Sequence, residues 1–235
     1  MRDVLAVIPA RGGSKGIPRK NLVEIAGKPL LVHSILHAHN SRCVSRVIVS
    51  TEDVEIAEVA KAAGAEVPFL RPGELAGDEV LDLPVFQHVL ERLASDEGYV
   101  PEIVVHLRPT TPLRMPGWID EAVDLLRSDL RADSVRSVST PTQHPYRMFR
   151  IGNDGYLDAL FKHEHPMPYL LRRQDLPKMY YYNCVIDVTR PSTILGKNSM
   201  TGDRILPYVM KAEDAIDIDG PRDLLFARLL MEGSA

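Results

Sequence analysis

The chain has 235 residues, of which 45% are hydrophobic and 26% are charged, as in ordinary soluble globular proteins. This length predicts a single domain over 1–235 that can carry an inserted arm. The formal net charge of −4 excludes the basic excess of a bulk nucleic-acid binder, and no apolar run approaches membrane-spanning length. Two distant cysteines and the absence of a signal peptide at the first residues predict a cytoplasmic protein with reduced thiols.

Apolar runs alternate with amphipathic segments along the first half of the chain. Strands are predicted over 4–8, 45–51, 65–72 and 102–109, and helices over 28–40, 52–64, 83–95 and 116–128. Alternation of this kind is typical of an open, mostly parallel α/β sheet with helices on both faces and right-handed crossovers. We therefore predict a Rossmann-like fold.

The alternation breaks near residue 140. Residues 141–180 are rich in Pro, His, Tyr and Arg and have weak periodicity, which predicts a functional loop or an inserted arm. Strands are predicted again over 180–190 and 204–210, followed by a closing helix over 220–233. The arm is therefore expected to protrude from an otherwise regular sheet.

A glycine-rich and cationic loop, PARGGSKGIPRKN, follows the first predicted strand. Its glycines are Gly12, Gly13 and Gly16, and the cations that bracket and occupy it are Arg11, Lys20 and Lys15. Such glycines allow positive φ and let backbone N–H groups face a ligand closely. Ligands of open α/β sheets bind at the carboxyl ends of the strands, so a polyphosphate is the predicted guest. Neither the Walker A pattern nor GxGxxG is present.

Asp217 and Asp219 lie two residues apart near the far end of the chain. On an extended segment these positions share a face, so both carboxylates can reach one cation. Mg²⁺ takes few protein carboxylates and leaves coordination positions for water and phosphate. The alternative is that these residues, with Asp223, cap the last helix. The two interpretations can both hold, with Asp219 the more cap-like of the pair.

Several sequence blocks, in this order, resemble the acylneuraminate cytidylyltransferases, the CMP-sialic acid synthetases. They are IPARGGSKGIPRKNL, VIVSTEDVEIAEVAKAAGAEV, RPGELAGD, RPTTPLR, RQDLP and IDIDGPRDL. The resemblance implies that the chain activates a 2-keto-3-deoxy sugar acid, a sialic acid or a related nonulosonic acid, with CTP to give a CMP-sugar and pyrophosphate. It also implies a need for Mg²⁺ and a homodimeric state.

The resemblance assigns roles to individual residues. Those assigned to the nucleotide are Ala10, Arg11, Gly12, Gly13, Ser14, Lys15, Lys20, Asn21, Arg71 and Asp82, and those assigned to the acidic sugar are Arg108, Thr111, Arg147, Arg173, Gln174 and Asn183. Asp217 and Asp219 are assigned to Mg²⁺, and the catalytic set is Arg11, Lys20 and Asp217. Because a sugar hydroxyl attacks the α-phosphorus directly, catalysis is expected from positioning and charge neutralisation rather than from a protein nucleophile.

Four positions depart from the pattern of that family. Arg108 replaces a common Gln, Thr111 a Ser, Asp82 a small hydroxyl residue that meets the cytosine, and Cys184 a Gly. Arg108 is expected to add a fixed cation beside the sugar, where it binds the carboxylate differently or reads another substituent. N-acetylneuraminic, legionaminic, pseudaminic and deaminated nonulosonic acids, or another acidic keto-sugar, are the open substrates.

The family also implies that the arm over 141–180 reaches the partner subunit and helps complete the sugar site. The alternative is an internal flap over the protomer's own site. Two other functions stay open: a CMP-Kdo synthetase or other sugar nucleotidyltransferase, against which GGSKGIP and RQDLP speak, and a module that senses CTP or a CMP-sugar without turnover. The aspartate pair discriminates the last, because a sensor need not keep a catalytic metal site.

Overall fold

The computed structural model describes residues 3–162 and 164–233. In chain order the strands are β1 Val4–Pro9, β2 Glu24–Ile25, β3 Lys28–Pro29, β4 Val44–Ser50, β5 Ile103–His106, β6 Ser134–Ser139, β7 Phe149–Ile151, β8 Leu157–Ala159, β9 Tyr181–Thr189 and β10 Ile205–Met210. The helices are α1 Leu30–His39, α2 Val54–Ala62, α3 Asp82–Glu97, α4 Trp118–Ser128, α5 Pro191–Leu195 and α6 Pro221–Glu232. Within the described ranges, none of these helices combines the length and apolar character of a membrane span.

Six strands form one sheet in the order β10-β6-β9-β5-β1-β4. β1 pairs in parallel with β4 and β5, and β6 pairs in parallel with β10. β9 runs antiparallel to both β5 and β6. The sheet is therefore mixed and mostly parallel, which confirms the predicted fold class.

Helices cover the two faces of this sheet because β1 is apolar on both sides. Val4, Ala6 and Ile8 pack with α1, α2 and α4 on one face. Leu5 and Val7 pack with α3 and α5 on the other face. Burial on both faces is the reason that β1 reads as a continuous apolar run rather than as an alternating one.

The third predicted strand, over 65–72, is wrong. Only Glu66 pairs with β4, as an isolated parallel bridge to Ile48. Pro68 and Pro72 lack the N–H groups that would continue a ladder, so the segment runs on as a loop. No strand is predicted where β6 lies, because the buried residues of β6 include serines and Arg136 rather than an apolar run.

The arm predicted over 141–180 contains the hairpin of β7 and β8. Part of its aromatic content packs within the arm, since the ring centroids of Phe149 and Tyr169 lie 5.1 Å apart. The hairpin also leaves two paired apolar side chains in solvent, Ile151 at 76% and Leu157 at 65% exposure. The chain by itself therefore leaves apolar surface of the arm exposed.

The glycine-rich loop after β1 packs closely against two other segments. None of Gly12, Gly13 and Gly16 has a positive φ, which corrects the predicted reason for these glycines. Instead, a Cβ on Gly16 would lie 2.4 Å from the backbone oxygen of Asp219, and one on Gly12 would lie 2.5 Å from Asp53 Oδ2. Close approach, rather than left-handed backbone, requires glycine at both positions.

Cys184 interrupts the regular backbone of β9. Its φ is +63°, in the left-handed region that disfavours side chains. It follows the buried Asn183, whose Oδ1 accepts a hydrogen bond from the N–H of Val185 at 3.3 Å, and the pairing of β6 with β9 shifts register opposite this segment. Residue 184, where the family pattern has glycine, thus keeps a backbone conformation that glycine prefers although it is a cysteine here.

We predict that Cys184→Gly is more stable than Cys184→Ala. Both variants remove the sulfur, but only alanine keeps a Cβ at positive φ, so the free energies of unfolding are expected to differ by about 1 kcal/mol. Urea denaturation of the two variants measures this difference. An alanine variant as stable as the glycine variant would show that the backbone here is not strained.

We also predict opposite tolerances for two neighbouring loop glycines. Gly16→Ala places a methyl group against the Asp219 backbone and is expected to lower the free energy of unfolding by about 1–3 kcal/mol. Gly13→Ala meets no atom within 4 Å, so the ligand-free variant should stay within about 1 kcal/mol of the wild type. Equal losses in thermal or urea unfolding would contradict the described packing of the loop.

Candidate active site

A cleft of about 280 Å³ opens where β1 and β5 end. Of the residues assigned to the nucleotide, it is lined by Arg11, Gly13, Ser14, Lys20, Asn21, Arg71 and Asp82. The carboxyl ends of strands in an open α/β sheet are the usual place for a ligand. Ala10, Gly12 and Lys15 do not line the cleft, although they lie in the same loop.

Two basic side chains of the loop pair with Asp78 at one end of the cleft, Arg11 from within it and Lys15 from beside it. Asp78 lies 3.1 Å from Arg11 Nη1 and 2.8 Å from Lys15 Nζ. The hydrogen bond from Lys15 lowers the pKa of the Asp78 carboxyl, and the charge of Arg11 lowers it further. Arg19, the remaining arginine of the loop, is turned away and pairs with Asp53 and Glu55. The loop thus holds its cations against a carboxylate at a site that suits phosphate oxygens.

Glu52 organises the wall behind this loop, a role that the sequence analysis missed. Its Oε1 accepts from the N–H of Gly12 at 2.7 Å, and its Oε2 accepts from Arg71 Nη2 at 2.8 Å. The Gly12 N–H, expected to face a ligand, is therefore already bound. Arg71 is buried, and beside it Leu75 and Val80 give the cleft an apolar surface.

The glycine-rich loop and the predicted metal segment meet at Lys20. Its Nζ donates a 2.8 Å hydrogen bond to the carbonyl oxygen of Ile218, the residue between Asp217 and Asp219. The N–H of Ile218 in turn donates to the carbonyl of Thr110, which lines the cleft. The segment of Asp217 and Asp219 does not itself line the cleft, and these two hydrogen bonds place it directly beside the cleft.

Neither Asp217 nor Asp219 supplies the side chain that caps α6. Asp223 is the capping side chain, since its Oδ2 accepts from the N–H groups of Asp219 at 3.1 Å and Gly220 at 2.8 Å. The alternative in which Asp219 caps the helix is wrong. Asp217 Oδ1 is buried without a hydrogen-bond partner, and burial together with the charge of Asp219 raises the pKa of the Asp217 carboxyl.

These carboxylates fit a divalent cation. An orphaned, buried carboxylate oxygen beside a second carboxylate is compensated when a cation binds. Mg²⁺ in particular takes only one or two carboxylates when substrate phosphates supply other oxygens. In the part of the chain that the structure describes, no cluster of three or more His, Cys, Asp or Glu side chains forms a larger metal centre.

Arg108 lies in a network of charges on the other side of the cleft. Its Nη2 donates to Asp82 Oδ2 at 2.8 Å, and its Nη1 donates to Asp187 Oδ2 at 2.6 Å. Arg136 and Tyr182 also contact Asp187 Oδ2. Two carboxylates therefore match the fixed cation expected at Arg108, and its contact with the sugar stays a prediction.

Sequence reasoning missed Asp187, Arg136 and Tyr182. A signal for Asp187 existed, since a lone carboxylate in the apolar run VIDV is rarely buried without a partner. Arg136 lay in the strand that was not predicted. The structure also places Asp82, assigned to the nucleotide, in contact with Arg108, assigned to the sugar.

Arg114 supports the wall from beneath, and it too was missed although it ends the quoted block RPTTPLR. Its guanidinium donates to the carbonyl of Val185 at 2.7 Å and to that of Arg108 at 2.8 Å. Burial and the neighbouring Arg108 lower its pKa to about 9. Thr111 is buried, and its hydroxyl donates to the Arg108 carbonyl at 3.1 Å. Thr111 thus lies behind the cleft wall rather than on it.

The other residues assigned to the sugar lie outside this cleft. Arg173 and Gln174 line a second cavity of about 300 Å³ at the base of the arm, and Arg173 Nη2 donates to the carbonyl of Pro141 at 2.6 Å. Arg147 donates to the Leu171 carbonyl within the arm. Asn183 is buried, and its Nδ2 donates to Ser139 Oγ at 2.7 Å. Their contact with a sugar stays a prediction.

Known proteins resemble this chain over most of its length. The family model described as cytidylyltransferase matches residues 5–195. The CMP-N,N'-diacetyllegionaminic acid synthase of Legionella pneumophila is 33% identical over 97% of this chain and 96% of its own length. The pseudaminic acid cytidylyltransferase of Campylobacter jejuni serotype O:2 is 31% identical over 96% of this chain and 95% of its own.

A solved structure has the same fold. It is that of CMP:2-keto-3-deoxy-manno-octonic acid synthetase complexed with CTP, with a TM-score of 0.73 and 18% identity over 99% of this chain and 100% of that one. Such identity supports the fold alone, whereas the family match and the relatives above cover most of the sequence. The resemblance carried by the glycine-rich loop and the blocks that follow it is confirmed: this chain belongs to the cytidylyltransferase family, and it is a nucleotidyltransferase of the acylneuraminate cytidylyltransferase type.

Proposed function

We propose that the chain transfers a cytidylyl group from CTP to an acidic 2-keto-3-deoxy sugar of the nonulosonic acid class, releasing pyrophosphate. The observation that carries this proposal is the hydrogen bond from Lys20 to the Ile218 carbonyl. It brings the basic loop to the segment of Asp217 and Asp219, as a triphosphate with its cation requires. We expect the reaction in the cytoplasm, because Cys43 and Cys184 are free thiols.

The triphosphate is proposed to bind at the basic end of the cleft. Its oxygens compete with Asp78 for Arg11 and Lys15, and they reach Lys20 and the backbone around Gly13. Exchange of one anion for another releases the loop from Asp78 without leaving a cation unpaired. The nucleoside then lies toward Arg71 and the apolar surface beside it.

Asp217 and Asp219 are the residues that would hold Mg²⁺. The ion, when bound, would neutralise phosphate charge and make the attacking sugar hydroxyl more acidic. Arg11 and Lys20 stabilise the charge that builds on the departing pyrophosphate. The chain itself supplies alignment of the hydroxyl with the α-phosphorus, and no protein nucleophile is needed.

The arm is proposed to pair two protomers. Ile151 and Leu157 face each other across the hairpin of β7 and β8 and are both largely exposed in one protomer. Burial of such a patch against a second arm removes it from water. Arg147, Arg173 and Gln174 belong to the same arm, so pairing would carry them toward a sugar site.

Replacement of Asp217 by Asn is expected to cut turnover by about 100-fold or more, because the carboxylate that faces the cation loses its charge. Pyrophosphate release with CTP, Mg²⁺ and a panel of nonulosonic acids measures it. Asp223→Asn is the matched control, since it removes a carboxylate of the same segment that caps α6 and keeps an acceptor oxygen. Equal turnover in the Asp217 variant and the wild type would refute the metal assignment.

The same assay separates the remaining alternatives. Pyrophosphate release only with Kdo would favour a CMP-Kdo synthetase. CTP binding without release for any acid would favour a module that senses the nucleotide. Release with nonulosonic acids supports the function proposed above.

Charged replacements on the hairpin are expected to give a monomer. Ile151→Asp together with Leu157→Asp introduces two carboxylates into the proposed contact, and sedimentation velocity should show half the wild-type mass. Leu130→Asp is the control, because Leu130 is 82% exposed outside the arm. A monomeric wild type, or a dimer that survives both hairpin changes, would contradict the pairing.

A further inference from the structure

The wall of the cleft that Asp82 and Arg108 form presents a hydrogen-bond donor beside an acceptor. Arg108 has five N–H donors, of which one bonds Asp82 and one bonds Asp187. Asp82 accepts from Arg108 through Oδ2, and its side chain is 42% exposed. Unused N–H groups and a second carboxylate oxygen therefore stand side by side at the cleft.

Asp187 fixes the position of Arg108. It is fully buried in β9, where it is the register partner of His106 in β5 and of Arg136 in β6. Its Oδ2 receives Arg108, Arg136 and Tyr182 together. A buried carboxylate with three donors leaves the guanidinium of Arg108 little freedom to turn toward another partner.

The charges of Arg108, Asp82, Arg136 and Asp187 cancel, and the third guanidinium of the wall, Arg114, is buried behind them with carbonyl and hydroxyl partners. The two guanidiniums of Arg108 and Arg136 face the two carboxylates of Asp82 and Asp187. An anionic group of the substrate would have to displace Asp82 and would then lie beside a carboxylate, which disfavours it. An uncharged group with both an acceptor and a donor meets no such penalty.

We propose, on the basis of the function proposed above, that Arg108 and Asp82 are specificity-determining residues that bind an acylamino group of the sugar acid. The amide carbonyl accepts from Arg108 and the amide N–H donates to Asp82. A hydroxyl offers one oxygen atom for both contacts, whereas an amide offers a separate atom for each. Leu81, which is 76% exposed and also lines the cleft, supplies apolar surface for the acyl methyl group.

Asp187 is then a positioning residue, because it acts on the substrate only through Arg108. The effect of its replacement on the preference between sugar acids distinguishes it from a purely structural residue. A structural defect weakens turnover of all acids alike, whereas a displaced Arg108 alters the choice between acids.

The test compares kcat/KM for N-acetylneuraminic acid and N,N'-diacetyllegionaminic acid with that for the deaminated nonulosonic acid, which carries a hydroxyl in place of the acetamido group. Wild-type enzyme should prefer the better acylamino acid by at least about tenfold. Arg108→Met and Asp82→Ala remove the donor and the acceptor respectively, and each should bring this ratio close to one. Asp96→Asn, which removes a carboxylate paired with Arg92 on the same helix α3, should keep the wild-type ratio.

Asp187→Asn should lower the ratio as well, while the KM for CTP changes by less than about threefold. If that variant unfolds, as thermal unfolding would show, the half-exposed Asp82 carries the test through Asp82→Ala. A preference that survives both Arg108→Met and Asp82→Ala, or a wild type that prefers the hydroxyl acid, overturns the inference alone. Absence of pyrophosphate release with every acid overturns the proposed function, and this inference with it.

Discussion

The hydrogen bond from Lys20 to the Ile218 carbonyl joins residues that are 198 positions apart, and the candidate active site depends on it. The loop after β1 supplies cations, and the segment before α6 supplies carboxylates. Gly16 lets these two backbones approach, because any side chain there would meet the Asp219 carbonyl. The lysine therefore binds the Ile218 carbonyl and also lines the cleft, which would place it between a bound triphosphate and the carboxylates proposed to hold the cation.

Acidic side chains decide what each basic residue of the cleft can do. Asp78 forms ion pairs with Arg11 and Lys15 and is partly exposed, so a phosphate group could replace it there. Asp187 is fully buried and forms ion pairs with Arg108 and Arg136 that a ligand in the cleft cannot reach from solvent. An arginine paired with an exposed carboxylate stays available to a ligand, whereas one paired with a buried carboxylate serves as a fixed donor.

The fold and the basic loop that borders the cleft could be predicted from the sequence because their signals are local. Buried parallel strands read as apolar runs, and the basic glycine-rich loop follows the first of them directly. The network around Asp187 could not be predicted, because it depends on which residues lie opposite each other in three strands that are distant in sequence. The role of the loop glycines was misjudged for the same reason, since the Asp219 carbonyl that requires Gly16 is supplied by the far end of the chain.

The antiparallel direction of β9 decides where the arm leaves the domain. β6 ends and β9 begins on the side of the sheet where β1 and β5 end. The chain between them therefore departs and returns on one side without crossing the sheet, as it would have to for a parallel β9. Because the cleft opens where β1 and β5 end, a change in the length or sequence of this excursion would alter the surface next to the cleft and leave the sheet untouched.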